Sequence, residues 1–327
     1  MQAPAFWYQK RGLRAWGLSP LGALYGYATA CRVRHAGDGY KARCLVISVG
    51  NINAGGTGKT PTCIALAERL ITRGAHPVFV TRGYGGSAEG PVQVDPQTND
   101  AAQVGDEPLL LAAFAPTIVA KDRAGGVRMA QDMGDVIILD DAHQNPSVRK
   151  DLSIVVVDAY RGFGNGLCLP AGPLRETVSA GLARADLVVS IGRPSAQKSF
   201  AATWPTVTAL PHLQAALSPL PTGMPWQGLP VVAFAGIGHP DKFFQTLRDM
   251  GADLRGTTAL GDHQPYTTAL LQRLTAEAAT KKAQLVTTEK DAVRLPASFR
   301  SVVLPLPVRL TSDDWGALDG ALDLLGV

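Results

Sequence analysis

The sequence predicts an α/β protein with a P-loop NTPase-like, mostly parallel sheet flanked by helices, a second smaller α/β domain and an N-terminal membrane-associating helix. Three observations carry this prediction. A glycine-rich loop at 50–61 lies between an apolar, β-branched run at 44–49 and a helical pattern at 64–71. Short apolar runs then alternate with helical patterns, as is typical of a parallel sheet covered on both faces. The first 43 residues, by contrast, are basic and aromatic.

The order of the later elements locates a candidate ligand site. Strands are predicted at 77–80, 117–120, 135–139, 152–157 and 185–191, with helices at 109–114 and 125–133. In a sheet of this kind ligands collect at the carboxyl ends of the strands. The residues expected at those ends are Gly50, Arg82, Asp140, Asp141 and Asp158.

The chain divides into four predicted segments. Residues 1–43 form the N-terminal segment and residues 44–193 the P-loop domain. Residues 194–230 are rich in proline and lose periodicity, which indicates a connector. Residues 231–327 resume the strand and helix alternation and are predicted to form the smaller C-terminal α/β domain. A chain of 327 residues with 46% hydrophobic content is long enough for two domains.

The cysteines indicate neither a disulfide framework nor a zinc site. The four cysteines are Cys31, Cys44, Cys63 and Cys168, and they form no C-x-x-C pair and no metal-ligand spacing. This usage fits a reducing cytoplasm.

The positive charge of the chain is concentrated at its N-terminus. Residues 1–43 contain seven Lys and Arg against one Asp, a net charge of +6, whereas the whole chain carries +4. The uncharged span 15–31 is at the short limit for crossing a bilayer and contains Pro20 and three glycines. Aromatic rings beside cations are typical of a helix lying in the plane of an anionic leaflet. The alternative is a helix packed on the protein's own core.

The glycine-rich loop fits a phosphate-binding P-loop with one departure. The pattern G-x-x-x-x-G-K-[ST] requires glycine at position 53, where this chain has Asn53. Asparagine tolerates a left-handed backbone better than most residues, so we expect the loop to survive. The residues predicted to hold the nucleotide are Asn53, Gly55, Gly56, Thr57, Gly58, Lys59 and Thr60. Lys59 is expected to reach the terminal phosphates and Thr60 to bind Mg²⁺. The alternative is a plain glycine turn before a helix.

Carboxylates and one histidine are the remaining candidates for chemistry. Asp140 and Asp141 end a buried strand and can complete a Mg²⁺ shell, although a solvated turn is the alternative. Phosphoryl transfer also requires a group that accepts the proton of the acceptor hydroxyl. Asp106 and His263 are the candidates, and each also fits an ordinary role, Asp106 as a helix cap and His263 as a polar loop residue.

Other P-loop classes fit less well. Partitioning ATPases carry a lysine before the double glycine, where this chain has Ala54. Residues 288–291 read T-E-K-D and only mimic the guanine motif [NT]-K-x-D, because the lysine is displaced by one. Residues 122–125 satisfy D-x-x-G, a pattern that is common by chance. A membrane-associated P-loop nucleotide switch without small-molecule kinase activity therefore stays as the alternative function.

Taken together, these motifs resemble the tetraacyldisaccharide 4'-kinase family, the lipid A 4'-kinases of Gram-negative bacteria. The matching stretches are 49–51 with 55–61, 82–85, 105–108, 140–141 with Gln144, 164–166, 169–176, 262–263 and 288–291. Their order and spacing cover nearly the whole chain, so chance agreement is implausible.

The resemblance implies a reaction and a location. It implies ATP-dependent phosphorylation, with Mg²⁺, of the 4'-hydroxyl of a tetraacylated glucosamine disaccharide 1-phosphate, the lipid A disaccharide precursor. It implies a peripheral or monotopic protein on the cytoplasmic leaflet of the inner membrane, with the active site in a cleft between two α/β domains. No nucleic acid and no obligate protein partner is expected.

The resemblance also implies roles for individual residues. Asp106 and His263 match a catalytic dyad, and Asp140 and Asp141 match the acidic pair near the metal. Either Arg82 or Arg123 is expected to neutralise charge on the transferring group or on the substrate phosphate.

Two departures from the family pattern are visible. The family commonly reads Asp-Asp-Gly-x-Gln-His after the buried strand, whereas residues 140–145 read D-D-A-H-Q-N. Asn145 thus replaces a histidine, and His143 lies two residues away from it. Gln264 stands where a second histidine often follows His263.

Overall fold

The structure is a computed structural model, and it describes residues 3–34, 37, 39–261 and 264–327. Its helices are α1 (Leu13–Arg34), α2 (Lys59–Thr72), α3 (Ala101–Val104), α4 (Asp106–Leu111), α5 (Arg123–Ala130), α6 (Val178–Leu182), α7 (Pro194–Thr203), α8 (Pro240–Asp249), α9 (Thr268–Thr280), α10 (Glu289–Ala292), α11 (Ala297–Arg300) and α12 (Gly316–Leu325). Its strands are β1 (Leu45–Gly50), β2 (Pro77–Thr81), β3 (Val92–Gln93), β4 (Thr117–Val119), β5 (Val136–Asp140), β6 (Leu152–Asp158), β7 (Leu187–Ile191), β8 (His212–Pro219), β9 (Pro230–Ala235), β10 (Asp253–Ala259), β11 (Gln284–Thr288), β12 (Val303–Leu306) and β13 (Val308–Thr311).

A nine-stranded sheet forms the centre of the large unit, in the order β13-β8-β7-β6-β1-β5-β2-β4-β3. All neighbouring strands are parallel except at the two edges, where β13 and β3 run antiparallel to their partners. The inner strands are buried along almost their whole length because helices cover both faces. The predicted α/β fold with a large, mostly parallel sheet is confirmed.

A second sheet of four parallel strands, in the order β10-β9-β11-β12, forms the smaller unit. Alternate residues of β9 point to opposite faces, so Val231 contacts the core under α8 while Val232 contacts the core under α9. Each face of this sheet is therefore closed by its own helix, as a parallel sheet requires.

Two strand pairings cross the predicted limits of the connector (194–230) and of the smaller domain (231–327). β8 lies inside the predicted connector, yet it pairs with β7 in the large sheet. β13 follows the last strand of the smaller sheet and returns to pair with β8, and α12 then packs Leu318 and Leu322 into the core of the large unit. The pairing of β13 with β8 joins residues about ninety positions apart, which local periodicity cannot reveal.

The N-terminal helix α1 is present, and its two sides differ. Small residues at helical spacing, Gly22 and Gly26, lie against the turn at 168–171; a Cβ on Gly22 would lie 2.7 Å from the carbonyl oxygen of Cys168. The opposite side exposes apolar residues, among them Leu13 and Leu24. Within the described residues, no helix is long and apolar enough to cross a membrane.

Candidate active site at the carboxyl ends of the large sheet

The P-loop runs from the end of β1 to the start of α2, as predicted. Gly55 and Gly58 have φ values of 103° and 97°, in the left-handed region that favours glycine. The side-chain amide of Asn51 donates to the carbonyl oxygen of Gly55 and to the hydroxyl of Thr57, both at 3.1 Å, and so fixes the turn. Gly58 is the N-cap of α2, whose first residue is Lys59. Hydrogen bonds and glycine conformations within the loop itself therefore define its shape.

Gly56 and Thr60 complete the predicted nucleotide-binding stretch. Gly56 is exposed at the tip of the loop, and Thr60 is partly exposed in the first turn of α2. Both thus lie where the amides of a helix N-terminus can meet a phosphate group.

We expected Asn53 to be tolerated in the P-loop because asparagine accepts a left-handed backbone, and this explanation is wrong. Among the described residues other than glycine, positive φ occurs at Asp141 and Lys282 alone, so Asn53 does not use a left-handed backbone. Asn53 is instead buried, and its side-chain amide donates to the carbonyl oxygen of Gly162 at 3.0 Å. An asparagine at this position therefore ties the P-loop to a neighbouring segment.

That neighbouring segment, residues 162–176, braces the P-loop along its length. The backbone N–H of Ala54 donates to the carbonyl oxygen of Pro173 at 2.7 Å, and that of Arg175 donates to the carbonyl oxygen of Ile52 at 2.8 Å. Because these are backbone contacts, they hold the path of the loop whatever side chains it carries.

The two carboxylates of the acidic pair lie in different surroundings. Asp140 is buried and accepts a hydrogen bond from the hydroxyl of Thr81 at 3.2 Å. Burial, together with the negative charge of Glu107, raises the pKa of Asp140 to about 6. The carboxylate of Asp141 lies 3.5 Å from the Lys59 ammonium. Burial would raise the pKa of Asp141, but the charges of Lys59 and Arg175 outweigh it and lower the pKa.

Arg175 is a site residue that reasoning on separate motifs did not single out. Its guanidinium holds both oxygens of Asp141, at 2.8 and 3.3 Å, in the forked geometry that arginine forms with carboxylates. The following residue, Glu176, is fully buried and pairs with Arg184 at 2.8 Å and with the side-chain amide of Gln144 at 2.9 Å. Arg175 lies in the stretch 169–176 that matches the family, but nothing in that stretch indicates that Asp141 is its partner.

The two candidate arginines lie in contrasting places. Arg123 is buried and donates to the carbonyl oxygens of Ala120 at 2.9 Å and Asp140 at 3.1 Å, so it joins the ends of β4 and β5. Burial lowers the pKa of Arg123. Arg82 is exposed just beyond β2. Of the two, Arg82 is the better placed to meet a phosphate from solvent.

Asp106 is the first residue of α4, and the N-cap is Gly105 rather than Asp106. Gly105 has a φ of 91°, and a Cβ there would lie 2.7 Å from the carbonyl oxygen of Tyr84, so the loop at 82–85 lies against the start of α4. The Asp106 carboxylate is buried, and its Oδ2 lies 3.8 Å from the ammonium of Lys290, which comes from the smaller unit. Asp106 thus lies at the contact between the two units. His263 lies outside the described residues, and its pairing with Asp106 stays a prediction.

Local contacts explain the departure at Asn145 and the orientation of the nearby His143. The imidazole of His143 is buried, and its Nε2 lies 2.9 Å from the carbonyl oxygen of Gly181. Burial lowers the pKa of His143 to about 4, which favours the neutral ring at physiological pH. Asn145 accepts a hydrogen bond from the backbone N–H of Ser147 at 2.8 Å and so forms a local turn. His143 therefore points into the protein and does not stand in for a histidine at 145.

Comparison with known proteins gives a consistent result. A family model described as LpxK, tetraacyldisaccharide-1-P 4'-kinase, matches residues 14–324. A tetraacyldisaccharide 4'-kinase of Jannaschia sp. (strain CCS1) is 59% identical over 324 residues, covering 99% of this chain and 98% of the relative. One of Dinoroseobacter shibae is 60% identical over 330 residues, with the same coverage.

A solved structure supports the fold. The crystal structure of the "apo" form of LpxK from Aquifex aeolicus in complex with ATP superimposes with a TM-score of 0.74. It covers 95% of this chain and 99% of its own chain at 22% identity.

Proposed function

This chain belongs to the tetraacyldisaccharide-1-P 4'-kinase family, and we propose that it transfers the γ-phosphoryl group of ATP to the 4'-hydroxyl of a tetraacylated glucosamine disaccharide 1-phosphate, the lipid A disaccharide precursor. One observation of the site carries the proposal. The carboxylate of Asp141 lies 3.5 Å from the Lys59 ammonium of the P-loop, and the negative charge of Glu107, the neighbour of Asp106, contributes to the raised pKa of the adjacent Asp140. The acidic pair is therefore close to both the phosphate loop and the helix that carries the candidate proton acceptor.

The P-loop supplies the phosphate site. We propose that the backbone amides of residues 55–60 and the N-terminus of α2 hold the β- and γ-phosphates of ATP and that Lys59, the first residue of α2, neutralises their charge. In this structure Asp141 lies beside the Lys59 ammonium. A γ-phosphate would take over part of that interaction and bring the nucleotide next to the acidic pair.

The donor set fits Mg²⁺. The hydroxyl of Thr60 and the carboxylates of Asp140 and Asp141 are hard oxygen ligands, which this ion prefers. The raised pKa of Asp140 reflects burial among negative charge, and a nearby divalent cation would favour its ionised form. In the parts of the chain that the structure describes, no three His, Cys, Asp or Glu side chains group as a metal site, so Mg²⁺ would share its shell with ATP phosphates and water. When bound, the ion supplies charge neutralisation at the transferring group.

Asp106 is proposed as the group that accepts the proton of the 4'-hydroxyl, with His263 orienting it. The carboxylate is buried at the contact between the units, where it can be held in one position. A carboxylate in this place acts as the catalytic base in phosphoryl transfer by orienting the hydroxyl and taking its proton. Arg82 is proposed to contact a phosphate group of the substrate.

The exposed side of α1 is proposed to rest on the cytoplasmic leaflet of the inner membrane, with the protein peripheral or monotopic. Leu13 is 92% and Leu24 64% exposed, and cationic residues flank them. Apolar side chains beside cations suit the headgroup region of an anionic leaflet. This placement lets the acyl chains of the substrate stay in the membrane during the reaction.

The reaction is tested by transfer of labelled γ-phosphate from ATP to a tetraacyl disaccharide 1-phosphate in detergent micelles. We expect a labelled lipid with the native protein and a loss of about a hundredfold or more with Lys59→Ala, because a charge that stabilises the transition state is removed. Lys198→Ala, at an exposed position on α7, is the matched control and should retain activity. ATP hydrolysis without lipid labelling would favour the nucleotide-switch alternative.

The membrane placement is tested by sedimentation with anionic vesicles. Leu13→Ser combined with Leu24→Ser should weaken binding to vesicles while ATP binding is retained. Leu324→Ser on α12, at a position 90% exposed, is the control for removal of an exposed leucine. If the Leu13→Ser, Leu24→Ser double variant binds vesicles as well as the native protein does, the membrane site does not lie on α1.

A further inference from the structure

The T-E-K-D stretch at 288–291 has no part in nucleotide recognition as proposed above, yet the structure places it at the candidate base. Its helix, α10, is fixed firmly to the smaller unit. The hydroxyl of Thr288 caps the helix by accepting from the backbone N–H of Asp291 at 3.1 Å. The buried carboxylate of Asp291 accepts from the backbone N–H of Gly236 at 3.0 Å and pairs with Arg294 at 3.2 Å.

The two middle residues of the stretch reach the large unit. Glu289 pairs with Arg309 of β13 at 2.7 Å. Lys290 crosses to α4, where its ammonium lies 3.2 Å from the carboxylate of Glu107 and 3.8 Å from that of Asp106. The contact of Glu289 is with β13, where the chain rejoins the large sheet, whereas the contacts of Lys290 are at the candidate base.

The ammonium of Lys290 is well placed to act on Asp106. The Lys290 side chain is 25% exposed and the Asp106 side chain 4% exposed, so water screens this interaction only in part. At this distance the ammonium attracts the Asp106 carboxylate and so limits the positions that the carboxylate can take. Glu107, the next residue of α4, lies 3.2 Å from the same ammonium and holds it beside Asp106.

We propose that Lys290 is a positioning residue for Asp106 in the kinase reaction, an inference that rests on the proposed function. Lys290 comes from the smaller unit, and Asp106 comes from the large one. The proton acceptor is therefore held in its working orientation only while the units are in contact across the cleft. Lys290 acts through Asp106 and Glu107, without touching the nucleotide.

The test compares Lys290→Met, Lys290→Arg and Glu289→Gln in the full chain, using the micelle assay with initial rates at varied ATP and varied lipid. Lys290→Met should lower kcat by about tenfold to a hundredfold, the effect of a slightly misplaced catalytic group, with little change in either KM. Lys290→Arg, which keeps the cation, should recover part of the loss. Glu289→Gln weakens the other contact of the same helix with the large unit and should keep kcat near that of the native protein.

Four outcomes would overturn the inference. Native kcat in Lys290→Met would remove Lys290 from the mechanism. A higher KM for ATP with unchanged kcat would assign Lys290 to nucleotide binding instead. Equal losses in Lys290→Met and Glu289→Gln, with matching thermal unfolding curves, would mean that α10 only holds the units together. A native protein that labels no lipid would overturn the proposed function itself, and this inference with it.

Discussion

The phosphate side and the acceptor side of the candidate site are built in different ways. The phosphate side comes from one contiguous stretch, the end of β1, the P-loop and the start of α2. The acceptor side is assembled from α4 in the large unit and α10 in the smaller one. The first is a single local segment that hydrogen bonds from residues 162–176 also support, whereas the second exists only when distant segments meet. We therefore expect substitutions on the acceptor side to lower kcat without changing ATP affinity.

Asp106→Asn gives the largest expected effect. Removing the proton acceptor should lower kcat by about 10² to 10⁴, the range found for general acid–base groups. The phosphate side should be unaffected, so the Kd for ATP measured by isothermal titration should stay close to that of the native protein. Asp313→Asn, at an exposed position, is the control and should alter neither quantity. A parallel loss of ATP affinity would mean that the two sides are not separable.

Asn53→Gly gives the next effect, on the phosphate side. The substitution restores the usual P-loop glycine but removes the hydrogen bond to Gly162 and adds backbone freedom. We expect the free energy of unfolding, measured with urea, to fall by about 1–2 kcal/mol. Asn53→Ala removes the bond without adding that freedom and should cost less. If Asn53→Gly is as stable as the native protein, the bond to 162–176 does not stabilise the loop.

The contrast between a local segment and contacts of distant segments also explains which parts of the site the sequence could predict. The P-loop, the strand before it and the acidic pair at the end of β5 follow from local patterns of glycine, charge and β-branched residues, and they lie where expected. The partner of Asp141 was missed because Arg175 lies in a Gly- and Pro-rich loop whose path depends on backbone contacts with the P-loop. The contact between Lys290 and Asp106 joins residues 184 positions apart in different units, and a motif gives no distance of that kind.

The ion pairs between α12 and the P-loop helix α2 give the smallest expected effect. They sharpen the comparison because they make the phosphate side depend on a distant segment as well. Asp319 of α12 pairs with Arg69 and Arg73 of α2. The hydrogen bond from Arg69 lowers the pKa of Asp319 below its usual 3.8. The stabilisation is therefore present above about pH 3.8 and is lost as the pH falls through the lower pKa of the folded state.

Asp319→Asn should reduce stability at pH 7 by about 0.2–1 kcal/mol, the usual range for exposed ion pairs. Its thermal unfolding curve should converge with that of the native protein once the pH falls below the lowered pKa of Asp319. Asp323→Asn, whose side chain is 68% exposed, should show a smaller difference. A gap between Asp319→Asn and the native protein that stays constant with pH would mean that packing of Leu318 and Leu322, and not charge, joins α12 to α2. Convergence would mean that even the locally encoded half of the site is held in part by charges from the far end of the chain.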